Sequence, residues 1–165
     1  MKKVVRKIVI IGAGGCGKSS IASRLATGAF VDHKMTIGLG VDTWKSIDDE
    51  NELEIHASLF DLGGQEHFRF FQEGFVTGAQ VLLLIFDVNR FKTLFDLDEW
   101  IPIVEQIPRD RWILVGNKID QPSFVTENDI KEKAESWGIP YVTISAKTGQ
   151  NFEKLVKMIL AIKTE

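Results

Sequence analysis

The run Gly12-Ala13-Gly14-Gly15-Cys16-Gly17-Lys18-Ser19 fits the spacing G-x-x-x-x-G-K-[ST] of a phosphate-binding loop. The chemistry that this spacing supports is the cradling of a polyphosphate. Glycines let the backbone curl so that successive N–H groups converge on phosphate oxygens, and the positive end of a following helix points the same way. Lys18 is placed to reach the β- and γ-phosphates, and the Ser19 hydroxyl to hold Mg²⁺. Ser20 joins the expected nucleotide contacts. Cys16 is read as a small filler. The alternative is a redox-sensitive thiol, because a helix N-terminus lowers thiol pKa. The loop predicts a nucleoside triphosphate and leaves the base open.

Such a loop must sit between a strand and a helix. The apolar run Ile8-Val9-Ile10-Ile11 supplies the strand, and residues 19–27 read as the helix. Strand signals then alternate with helix signals along the chain. Strands are predicted over 39–47 and 53–60, joined by the charged turn Asp48-Asp49-Glu50-Asn51-Glu52 as a hairpin. Further strands are predicted over 81–86, 112–115 and 141–144, the first wholly apolar as a strand covered on both faces should be. Residues 28–38 read as a polar loop, and 61–78 as a loop with a short helix. Leu94, Leu97, Ile101 and Val104 recur at helical spacing, with a kink or late start expected at Pro102. Thr126 and Asp129 mark a helix start, Gly138 and Pro140 its end. Phe152, Leu155, Val156, Ile159 and Ile162 give a last helix its apolar stripe. The expected architecture is α/β: one domain over 1–165, a doubly wound, mostly parallel six-stranded sheet with one antiparallel edge strand.

In such a sheet ligands bind at the carboxyl ends of the strands. There lie Asp61-Leu62-Gly63-Gly64-Gln65-Glu66, Asn117-Lys118-Ile119-Asp120 and Ser145-Ala146-Lys147. With the phosphate loop and Thr36-Ile37-Gly38, these resemble, in order, the five signature motifs of Ras-superfamily small GTPases. The resemblance covers essentially the whole chain and implies a P-loop G domain that binds GTP and GDP with Mg²⁺. Asp120 suits the base: one carboxylate accepts both the N1–H and the 2-amino group of guanine, whereas adenine would leave it unpaired. The resemblance further implies that the stem of Lys118 lies over the base. It implies that Asn117 ties this loop to the phosphate loop, that Ala146 N–H meets the guanine carbonyl, and that Phe30 lies beside the base. Ser145 and Lys147 belong to the same base-binding motif. Ser19, Thr36 and Asp61 are the implied Mg²⁺ ligands. Gly12, Gly14, Gly15, Cys16 and Gly17 line the phosphates, with Gly14 next to the γ-phosphate. The implied catalytic set is Lys18, Gly64, whose N–H meets the γ-phosphate, and Gln65, which orients the attacking water.

Some residues depart from the pattern. His33 stands where many relatives carry Tyr, and Met35 replaces a common Pro. Leu62-Gly63 is similar to the Arf group, whereas Thr36-Ile37-Gly38 and Gly78-Ala79 are similar to the Rab group. Val41, Phe60 and Phe75 align with positions that Rab-like proteins show to effectors, and Phe68, Phe70 and Phe71 crowd the second switch. No arginine lies between Leu25 and Thr36, so the resemblance implies a GTPase-activating protein that supplies one, besides an exchange factor and effectors. Alternatives are a GTP-binding scaffold with little turnover and an ATP-using kinase. Asp120 weighs against the kinase, and Gln65, Thr36 and Asp61 together weigh against the scaffold.

The bulk composition narrows the surroundings. The 165 residues carry 44% hydrophobic side chains and a formal net charge of -3, which argues against nucleic acid as the main partner. Lys2, Lys3, Arg6 and Lys7 read as a solvated strand start. One cysteine excludes an intrachain disulfide and fits a reducing cytoplasm. No apolar run reaches membrane-spanning length. Lys2 excludes N-myristoylation and no prenylation cysteine ends the sequence, so no lipid anchor is visible. Either the protein has none, or the sequence lacks its tail and the protein sits peripherally on a membrane. A monomer is expected.

Overall fold

The structure is a computed structural model that describes residues 1–28, 39–63 and 73–163. Strand β1 (Lys2–Gly12) ends at the phosphate loop, and helix α1 (Lys18–Thr27) leaves it. Strands β2 (Leu39–Asp48) and β3 (Leu53–Leu62) form the expected hairpin, pairing antiparallel from Leu39 with Leu62 to Asp48 with Leu53. The Asp48 side chain holds the turn by accepting from Asn51 Nδ2 at 2.7 Å. A short helix, α2 (Glu73–Val76), falls inside the stretch read as loop plus short helix, and β4 (Val81–Asp87) follows.

Next comes an interrupted helix: α3 (Lys92–Asp96), a 3₁₀ turn (Leu97–Trp100), then α4 (Ile101–Val104). Pro102 sits in the first turn of α4, where its missing N–H is no loss, so of the kink or late start expected there the structure shows the late start. Strand β5 (Trp112–Asn117), helix α5 (Glu127–Trp137), strand β6 (Tyr141–Thr143) and helix α6 (Phe152–Ala161) complete the order. The capping box opens α5: Thr126 Oγ1 accepts from Asp129 N–H at 3.1 Å, and the Asp129 carboxylate accepts from Thr126 N–H at 3.1 Å. Gly138 closes the helix in the left-handed region.

The six strands lie in the order β2-β3-β1-β4-β5-β6, and every pairing but β2–β3 is parallel. Alternate residues of β1 divide between two cores. Ile8 and Ile10 pack with Ile21 and Leu25 of α1 and with Leu155 and Ile159 of α6. Val9 and Ile11 face Leu94, Trp100 and Val104, with Ile130 of α5 in the same cluster. Helices therefore cover both faces of β1, β4 and β5, which explains why β4 and β5 are buried at every residue. Among the described residues no helix is long and apolar enough to cross a membrane. The basic cluster of β1 is only partly a solvated strand start: Lys7 Nζ donates to Thr77 O at 2.8 Å and lies 4.9 Å from the centre of the Phe60 ring.

Candidate functional site

The phosphate loop leaves β1 at Gly12, whose φ is 149°. A Cβ there would run into the carbonyl of Ile85 on β4, so close packing of neighbouring strands demands glycine. Gly17 caps α1 in the left-handed region, and a Cβ on it would strike Asn117 Nδ2. Between these glycines three carbonyls are held by side chains, two of them from the end of β5 and one from within the loop itself. Asn117 Nδ2 donates to Cys16 O at 2.9 Å, Lys118 Nζ to Gly15 O at 2.7 Å and Lys18 Nζ to Ala13 O at 3.1 Å. A peptide whose carbonyl is fixed outward has its N–H directed the other way, toward the concave side of the loop. Lys18 and Ser20 are buried in the first turn of α1.

The residues expected at the base gather around Asn117, at the carboxyl end of β5. Its Oδ1 accepts from Ala146 N–H at 3.0 Å, so this one buried side chain links the phosphate loop to the loop after β6. Ser145, fully buried, donates its hydroxyl to Asp120 Oδ1 at 2.7 Å and orients an otherwise exposed carboxylate. Lys118 adopts a φ of 72°, and its Nζ also lies 3.4 Å from Asp87 Oδ2. Lys147 is exposed, and its carbonyl accepts from Arg24 Nη2 at 3.1 Å.

At the metal corner, the Ser19 hydroxyl donates to the buried carboxylate of Asp61. One hydroxyl and one carboxylate are hard donors that suit Mg²⁺, and they are too few to hold it without phosphate oxygens and water. Among the described residues no three His, Cys, Asp or Glu side chains gather into a metal site. Phe30, Thr36, Gly64 and Gln65 lie outside the described residues. Of the positions aligned with effector contacts, Val41 is 56% and Phe75 40% exposed, while Phe60 is half-buried beneath Lys7.

Sequence reasoning missed three residues. Asp87 ends β4, buried, with Oδ2 3.1 Å from Arg90 Nε. Arg90 Nη2 in turn donates to Gly14 O at 2.9 Å. Arg24 of α1 donates through Nε to Ala146 O at 2.6 Å and stands over the Phe152 ring, bracing the base loop from below. The available signal was a carboxylate closing the wholly apolar run of β4, at the strand end where ligands bind. Cys16 is fully buried, and that burial pushes its thiol up despite Lys18 and Arg90 nearby. The filler reading therefore fits, since the thiolate is the reactive form.

Fold and site together define a P-loop α/β domain with a second loop cluster, around Asn117, tied to the phosphate loop. A sequence model of the Ras family matches residues 7–164. The chain is 34% identical to the GTP-binding protein yptV5 of Volvox carteri, over 92% of this chain and 78% of that protein. It is 32% identical to the Ypt/Rab-type GTPase ypt7 of Pyricularia oryzae, over 96% of this chain and 82% of that protein. It is 29% identical to the Ras-related protein Rab-26 of Bos taurus, over 91% of this chain. The chain spans about 60% of the length of that relative. It belongs to the Ras family of small GTPases, and its Rab/Ypt relatives make it Rab-like.

Proposed function

We propose that this chain is a single G domain that binds GTP and GDP with Mg²⁺, hydrolyses GTP slowly and recruits effectors only when loaded with GTP, as a switch in membrane trafficking. The observation that carries the reading is Asn117, whose amide holds Cys16 O in the phosphate loop and Ala146 N–H in the base loop at once. One residue thereby sets the distance between the site for the phosphates and the site for the base. Asp120, oriented by Ser145, accepts the N1–H and amino group of guanine. Ala146 N–H, held by Asn117 Oδ1, is shared with the guanine carbonyl, Phe30 flanks the base, and the Lys118 stem covers it.

Lys18 and the loop N–H groups bind the β- and γ-phosphates, and Ser19, Thr36 and Asp61 are the residues that would hold Mg²⁺, which neutralises developing phosphate charge when bound. Gly64 N–H and Thr36 read the γ-phosphate, so two segments change when it leaves. Gln65 orients water for in-line attack. No arginine precedes Thr36 in its loop, so a partner supplies the missing cation, and intrinsic hydrolysis is on the order of 10⁻⁴–10⁻² s⁻¹. The protein acts as a monomer in the cytoplasm, peripheral to a membrane through partners or a tail beyond this sequence. The test is displacement of bound fluorescent GDP by GTP, GDP and ATP, followed by single-turnover hydrolysis. GTP and GDP compete orders of magnitude better than ATP; equal competition by ATP overturns the reading.

A further inference from the structure

Arg90 belongs to none of the nucleotide-binding motifs, yet it touches the phosphate loop. Its Nη2 lies 2.9 Å from Gly14 O and 3.7 Å from Cys16 Sγ. With Lys118 on Gly15 O and Asn117 on Cys16 O, three consecutive carbonyls of the loop are each held by a side chain from a strand end. Arg90 does not reach this carbonyl by chance of rotamer. Asp87 Oδ2 receives its Nε at 3.1 Å and also faces Lys118 Nζ at 3.4 Å. One buried carboxylate thus aims both cations at adjacent peptides.

The turn that carries Arg90 is itself braced. Asn89 N–H donates to Asp87 Oδ1 at 2.8 Å. The buried Thr93 hydroxyl accepts from Asp87 N–H at 2.8 Å and donates to Arg90 O at 2.7 Å. We propose that Asp87 and Arg90 form a third anchor of the phosphate loop, and that Arg90 is a positioning residue controlling how long the nucleotide stays bound.

The reason is geometric. Gly14 and Gly15 have no side chain to pin them, so their peptides can rotate and turn N–H groups away from the phosphates. A guanidinium on the Gly14 carbonyl opposes that rotation. Its planar fork serves carboxylate and carbonyl through separate nitrogens held at a fixed spacing, whereas a lysine in its place would have to span both from a single nitrogen. Arg90 also closes the space beside Gly15, where a Cβ would lie 3.2 Å from Nη2. The inference rests on the proposed nucleotide site.

The experiment measures release of GDP carrying a fluorescent ribose tag, into excess unlabelled GDP, for the parent, Arg90→Ala and Arg90→Lys. The ³¹P spectrum of the bound GDP is recorded for each. Arg90→Ala releases GDP about tenfold faster, as expected for loss of one charge-assisted hydrogen bond from a half-exposed side chain, and its β-phosphate resonance moves. Arg90→Lys falls between the two. Release from Arg90→Ala within about twofold of the parent overturns the inference, and so does faster release with an unmoved β-phosphate resonance, which marks a merely structural residue. A parent that fails to retain GDP overturns the nucleotide reading as well, and is distinguished because it is seen before any variant is compared.

Discussion

The two halves of the sheet are built to different rules. On the β1-β4-β5 side, β4 and β5 are buried end to end and β1 over its second half, and side chains from distant elements hold backbone carbonyls of the phosphate loop. On the β2–β3 side, one face of the hairpin packs on α1 through Trp44, Ala57 and Leu59 and the other is open. Its outward residues include Val41, 56% exposed, and Ile47, 61% exposed, with Phe75 of α2 40% exposed. The first half fixes the backbone of the phosphate loop with polar side chains, whereas exposed apolar residues occur on both sides, Val5 of β1 among them at 73%. The difference lies in what the polar side chains do, and isolated exposed apolar groups add little to the stability of the chain that carries them.

The largest test of that division is catalytic. Gln65→Leu is expected to abolish most of the partner-stimulated hydrolysis, a loss of roughly 10³–10⁵ in rate, while leaving GDP affinity within about threefold of the parent. Single-turnover hydrolysis with an activating protein measures it. Fast turnover by the purified parent, unchanged in the variant, would break the proposed mechanism.

Next in size is the base. Asp120→Asn is expected to weaken GDP on the order of 10²-fold or more, because the charge-assisted pair becomes a mismatched amide contact. Xanthine nucleotides, with a carbonyl in place of the amino group, should then bind better than guanine. Competition titration reads both effects.

A matched pair of truncations then sharpens the contrast between the halves. Ile10, fully buried on β1, should cost about 2–5 kcal/mol when replaced by alanine, through lost transfer energy and the cavity left behind. Val41→Ala should cost less than about 0.5 kcal/mol yet weaken capture of a GTP-dependent effector. Denaturant unfolding and a pull-down at GTP-analogue and GDP loading supply the two measurements. Equal stability losses would erase the distinction.

The smallest effect concerns Cys16. Burial raises its thiol pKa, so at pH 8 the thiolate fraction in the folded protein lies below that of a free cysteine. Iodoacetamide should label it more than about tenfold slower than the unfolded chain. By linkage, any stability tied to this thiol is present below its unfolded pKa and fades as pH rises through the higher folded value. Rapid labelling of the folded protein would show that the phosphate loop opens.

Much of the fold was legible because local chemistry and global arrangement agree. The all-apolar runs of β4 and β5 announced strands covered on both faces, Thr126 with Asp129 announced the start of α5, and Asp48 to Glu52 announced the hairpin turn. The phosphate loop was legible for the same reason. Its glycines answer a backbone demand, visible in Gly12 against Ile85, that no other residue meets. Residues 29–38 and 64–72, which carry Phe30, Thr36, Gly64 and Gln65, had a sequence signal but lie outside the described residues.

By itself, then, the amino-acid sequence determined the order of strands and helices, the phosphate loop, and the polar residues waiting at the strand ends. Only the tertiary structure decided what braces them. Arg90 meets Gly14 across 76 positions of chain, and Arg24 meets Ala146 across 122. Neither arginine belongs to a motif or a periodic pattern. A side chain reaching a distant backbone carbonyl depends on how strand ends are brought side by side, and the order β3-β1-β4-β5 sets that, placing Asp87 and Asn117 next to the loop that leaves β1. Periodicity reports which face of an element is buried; it carries no information about which carbonyl a long, flexible cation will find once the elements have packed.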